Sequence, residues 1–131
     1  MRAYATGVCA TEAAVELLIR HRRWLTRADF VDAFVTVWPA DPMLGGDVSV
    51  AQVDWPAAVA ALDAGVLACS RGEAAMLRIA ASLAGGGAVD LGRAVTCLDE
   101  VNVVLVGEAV AHAGGLDAWR VPFVLGMRVQ R

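Results

Sequence analysis

Glu108 and His112 stand four residues apart in the stretch EVNVVLVGEAVAHA. A carboxylate one helical turn from an imidazole shares its face and orients the ring, the arrangement a general base uses. Catalysis also needs a nucleophile beside that pair, and the sequence supplies none: Ser49, Ser70 and Ser82 sit in no elbow motif, and no second carboxylate recurs at metal-ligand spacing. Glu108 and His112 are therefore expected as an intrahelical pair at a groove or subunit contact. A small enzyme using this Glu/His pair is the competing reading, and it would require His112 to line a concave pocket with converging polar groups. Cys9, Cys69 and Cys97 are the other reactive side chains; they are odd in number, widely spaced and without a C-x-x-C. That pattern is no disulfide framework, and a zinc site drawn from the three thiols and His112 lacks the paired spacing such sites use. Buried thiols, no metal and no cofactor are the expectation.

A third cluster is basic. Residues 20–30 read RHRRWLTRADF, with Arg20, Arg22, Arg23 and Arg27 around Trp24. The chain contains no lysine, so the choice of arginine at these positions carries little information about phosphate recognition. Residues 11–38 resemble the helix-turn-helix core of winged-helix regulators: a helix, a short turn, then a second helix opened by Thr26. The resemblance implies a DNA-binding regulator whose second helix enters the major groove, with the four arginines at the phosphates. On that second helix, however, the polar stripe is Asp29, Asp32 and Thr36, and phosphates repel an acidic stripe. The net charge of −3 points the same way. Nucleic acid is thus disfavoured as a partner: Arg20 and Arg23 extend a solvated helix face, Arg22 and Arg27 flank the turn, and arginines in a last turn complement the helix dipole.

SRGEAAMLRIAASLA at 70–84 with LDE at 98–100 resembles the signature helix and acidic strand end of ABC-type ATPases. That family cradles phosphate in a Gly-rich loop ending in lysine. A chain without lysine has no such loop, and a capped amphipathic helix accounts for residues 70–84 in full.

The elements that must position these groups read as helices. Residues 11–23 place Ala14, Leu17, Leu18, His21, Trp24 and Leu25 on one face, with Glu16 and Arg20 as an i,i+4 pair opposite. Thr26 with Asp29 reads as a capping-box variant opening a helix that runs to Trp38. PADPMLGGD at 39–47 is a loop, and VSVAQV a short strand or extended connector. Asp54 precedes a helix with proline in its first turn, closed by Gly65. Ser70 and Glu73 form a capping box for a helix stopped by Gly85-Gly86-Gly87. Asp90 caps a short helix with Leu91, Ala94, Val95 and Leu98 on one face, and Asp99 caps the last one, residues 100–113. Being apolar nearly all round, that last helix is expected at the centre of a bundle. The tail from Leu116 to Arg131 alternates loosely around Pro122, as an edge strand or an arm would.

These readings add up to one all-α domain over residues 1–131: a compact bundle of five or six helices, with at most a small two-stranded β element or an extended C-terminal arm at 116–131. The hydrophobic fraction is 58% before the glycines are counted, against roughly 45–50% including glycine in an average soluble domain. A small domain cannot hide such an excess, so a homo-oligomer, a homodimer by preference, is expected. Phe30, Phe34 and Trp38 on the second helix and Trp119, Phe123 and Leu125 in the tail are the expected contact residues. No stretch reaches the roughly 20 uninterrupted apolar residues of a membrane span, and Glu12 interrupts the N-terminal apolar run too early for a signal peptide. The chain is expected in the cytoplasm, as an interaction or regulatory module with an unknown protein partner.

Overall fold

The computed structural model describes residues 2–38, 43 and 50–116, with side chains at 9–37, 43 and 51–116. Among these residues the chain forms six α-helices and one two-stranded antiparallel sheet, in the order α1 (Arg2–His21), α2 (Ala28–Phe34), β1 (Val35–Trp38), β2 (Val50–Val53), α3 (Trp55–Asp63), α4 (Arg71–Leu83), α5 (Leu91–Val95) and α6 (Glu100–Ala113). The mostly helical fold with a small β element agrees with the sequence reading.

Four helices start where a short polar side chain accepts a hydrogen bond from the first turn. Asp54, Asp90 and Asp99 accept from the backbone N–H of Ala57, Arg93 and Asn102. At α4 both arms of the capping box are made: Glu73 N–H donates to Ser70 Oγ at 3.1 Å, and Ser70 N–H donates to Glu73 Oε1 at 2.9 Å. These bonds satisfy orphan donors that every helix start exposes. The backbone hydrogen bond holds the Glu73 carboxyl below the usual carboxylate range. Gly65 and Gly85 follow α3 and α4 at φ +75° and +82°, a conformation that costs glycine little.

Between α1 and α2 the chain departs from expectation. Helix α1 runs back to Arg2 instead of starting near Thr11, and it stops when Arg22 adopts φ +61°, the left-handed stop usually given to glycine. Trp24–Thr26 forms one 3₁₀ turn. Thr26 does not cap α2; its hydroxyl donates back to the carbonyl of Arg23 at 2.8 Å, and Arg27 occupies the cap position. The expected helix 26–38 is cut at Phe34. Val35-Thr36-Val37-Trp38 instead pairs with Val50–Val53 in the register Val35↔Val53 to Trp38↔Val50. Branched side chains lose rotamer freedom in a helix and suit a pleated strand, so a partner strand of like composition tips the balance.

Helix α4 occupies the centre, with Ala75, Met76, Leu77, Ile79, Ala80 and Ala81 all buried, and it packs on α1, α3, α5 and α6. Helix α1 contributes Ala13, Ala14, Leu17 and Leu18 to the same core. Helix α6, expected at the centre, lies instead on the outside of α1: only Val106 and Ala109 are buried, while Val101, Val103, Val104 and Val110 are 45–68% exposed. Its apolar residues surround the helix, but only one stripe meets a neighbour. The loop 39–47, apart from Met43, and residues 117–131 of the expected arm lie outside the described residues.

Candidate functional site

Helices α1 and α6 run antiparallel, so the start of one faces the end of the other. Cys9 and Glu12 lie one turn apart on α1, and His112 comes from the last turn of α6. Their donor atoms, a thiol sulfur, a carboxylate oxygen and an imidazole nitrogen, all lie within 4.8 Å of one another. His112 Nε2 and Glu12 Oε1 are 2.8 Å apart, a hydrogen bond across 100 residues of sequence. The imidazole is largely enclosed, at 17% exposure, whereas the Glu12 carboxylate side chain is 61% exposed. Cys9 is half-buried. The cluster is therefore open to solvent on the carboxylate side and walled on the histidine side.

The expected intrahelical pair does not form. His112 reaches across to α1, and no hydrogen bond or ion pair joins it to Glu108, which stays half-buried on α6. Of the zinc set weighed from sequence, Cys9 and His112 meet, joined by Glu12. Cys69 and Cys97 are exposed elsewhere, and neither they nor Cys9 is the fully buried thiol expected. Nothing in the sequence flags Cys9 and Glu12 beyond their i,i+3 spacing; their third member comes from the opposite end of the chain.

The arginines of RHRRWLTRADF divide into paired and unpaired. Arg20 Nε lies 3.1 Å from Glu16 Oε2 on its own helix. Arg27 binds Asp29 through two nitrogens, at 2.9 and 2.6 Å, donates to the Ala68 carbonyl at 2.7 Å, and stacks 4.8 Å from the centre of the Trp24 ring. The guanidinium holds the Asp29 carboxyl below its usual range. Arg22 and Arg23 are exposed with no ion pair to a described residue. A cleft of about 670 Å³ between α4 and α5 gathers Arg71, Arg78 and Arg93 with Asp90. Arg78 is bound to Asp63 at 2.6 Å. Neither Glu108 nor His112 lines this cleft.

Among the expected contact residues, Phe30 belongs to the core, fully buried between Trp24 and Phe34 at ring separations of 5.3 and 5.4 Å. Phe34 is half-buried. The Trp38 side chain and Trp119, Phe123 and Leu125 lie outside the described residues. The densest run of exposed apolar side chains among the described residues is on α6, where Val103, Val104 and Val110 flank Gly107 and Ala111. These five positions fall within half a turn of the helix.

No helix among the described residues is long and apolar enough to cross a membrane. No family model, curated protein or solved structure matches this chain.

Proposed function

We propose that the protein is a non-enzymatic helical interaction module that acts as a homodimer, with the outer face of α6 as the contact. The observation carrying this reading is the valine face of α6, where Val103, Val104 and Val110, three branched apolar side chains, are 45–47% exposed. Apolar area turned to water costs free energy that a second copy of the same face recovers. Gly107 and Ala111, four residues apart in its middle, let a partner helix approach closely. A two-fold pairing of α6 with α6 would need roughly 800 Å² buried per subunit, so neighbouring segments would join the contact. The cytoplasm is the compartment proposed, because exposed free thiols at Cys69 and Cys97 suit a reducing environment.

Nucleic-acid contact draws less support, because carboxylates of the chain itself already engage Arg20, Arg27 and Arg78. A Glu108/His112 enzyme draws less still, since the two residues do not pair and neither lines the cleft between α4 and α5. Sedimentation of the full chain at micromolar concentration tests the proposal. A dimer is expected, converting to a folded, helical monomer in the double variant Val104→Glu, Val110→Glu. A wild-type monomer, or a dimer indifferent to both substitutions, would overturn it.

A further inference from the structure

We propose that Cys9, Glu12 and His112 bind one divalent transition-metal ion, zinc by its donor chemistry, and that the ion clamps the middle of α1 to the end of α6. Three kinds of donor converge within 4.8 Å: thiol, carboxylate and imidazole. Magnesium and calcium take oxygen ligands, whereas a thiolate with an imidazole selects zinc and its neighbours in the first transition row. A salt bridge between Glu12 and His112 would account for two of the three residues. It gives no reason for a sulfur at the same point.

The geometry needs little adjustment. Zinc lies about 2.0–2.3 Å from nitrogen, oxygen and sulfur donors, so donors on a tetrahedron are spaced roughly 3.3–3.8 Å apart. Spacings of up to 4.8 Å contract to this by side-chain rotation, while the 2.8 Å Glu12–His112 hydrogen bond opens by about half an ångström to 1 Å. Cys9 and Glu12 share one face of α1 at i and i+3, and His112 is carried by the facing helix. All three donors therefore sit on helices packed against each other, which limits the ordering cost of binding. Binding converts the Cys9 thiol to a thiolate and releases its proton to solvent; thiolate and carboxylate then balance the two positive charges of the ion. Three protein ligands leave a fourth position on the open, Glu12 side for a water molecule. The site belongs to a single chain and does not depend on the α6 contact.

Cobalt(II), which takes the same ligands and is coloured, is the probe. Titrated into the reduced full-length protein, it should give one equivalent of four-coordinate absorption together with a thiolate-to-cobalt charge-transfer band, and added zinc should abolish both. Cys9→Ser should remove the charge-transfer band, and Glu12→Gln should weaken cobalt affinity by more than about tenfold, an effect reached even by outer-shell partners of metal sites. Cys97→Ser should leave titration and spectrum unchanged. Zinc should raise the melting temperature of the wild type and not that of Cys9→Ser, whose circular dichroism without metal verifies that it is folded. A charge-transfer band that survives in Cys9→Ser, an equal zinc stabilisation of both proteins, or no band at several-fold molar excess of cobalt would each overturn the proposal.

Discussion

Helix α1 has two seams, and they use polar groups in opposite ways. At its end, against the start of α4, most of the polar groups are bound internally. Trp24 Nε1 donates to the Glu73 carbonyl at 2.9 Å, Glu73 closes the capping box with Ser70, and Arg27 lies over the Trp24 ring while holding Asp29 and Ala68. At its middle, against the end of α6, a thiol, a carboxylate and an imidazole gather at a surface, beside a helix most of whose valines face water. Hydrogen bonds fastened to a buried ring, as at Trp24, help specify a fold, because a polar group left unpaired in the interior is expensive. Ligand-type and apolar groups left accessible contribute little to the isolated chain. The first seam should therefore dominate stability and the second should dominate binding, a division that substitutions can break.

The largest effect is expected at Trp24. It is fully buried, its indole N–H is bonded, and it stacks on Phe30. Trp24→Ala removes the ring, deletes its hydrogen bond to the Glu73 carbonyl and unseats Arg27, for a loss of about 3–5 kcal/mol. Urea denaturation would measure it, and a loss below that of an ordinary surface substitution would break the comparison. Ser70→Ala should come next, at about 1 kcal/mol, because it removes a helix cap and leaves packing alone. Its midpoint should fall with an unchanged m-value.

The difference between the seams also decides what could be read from the sequence. Only the local part of the first is legible: Ser70 and Glu73 are three residues apart, as Asp54, Asp90 and Asp99 precede the turns they cap elsewhere, whereas the Trp24–Glu73 and Arg27–Ala68 bonds span 49 and 41 residues. Hydrogen bonds that close within four residues leave their mark on spacing. The second seam joins Glu12 to His112 across 100 residues, and no spacing rule reaches that far. Where local and distant preferences compete, as at Val35–Trp38, periodicity favours continuing the helix while pairing with Val50–Val53 makes a strand. Helix α6 shows the limit of composition. Its apolar circumference is plain in VNVVLV, but whether such a helix is enclosed or left outside depends on how many neighbours reach it, a property of the whole fold.

The smallest predicted effect sharpens the comparison through the one histidine in the first seam. His21 closes α1 at 9% exposure, and its Nδ1 has no hydrogen-bond partner among the described residues. Burial pushes its pKa below the ordinary 6.5, the charge of Arg23 lowers it further, and Glu73 and Asp99 offset this only in part. The unfolded chain therefore binds a proton that the folded chain resists. This contribution to stability is complete above about pH 6.5 and declines as the pH falls toward the depressed folded value. Glu73 and Asp29 act in a separate window, since their carboxyls are shifted down from 4.5 and 3.8, and the stability they add is lost only in more acidic solution. Between about pH 7.5 and pH 5.5 the denaturation midpoint of the wild type should fall more than that of His21→Gln, which has no proton to gain there. Comparing each protein with itself removes whatever the substitution costs at neutral pH. It also separates His21 from His112, because His112→Gln leaves the first seam intact and should preserve the His21 component of the slope. Equal slopes in wild type and His21→Gln would place the imidazole in a solvated environment and return the end of α1 to the same class of surface as its middle.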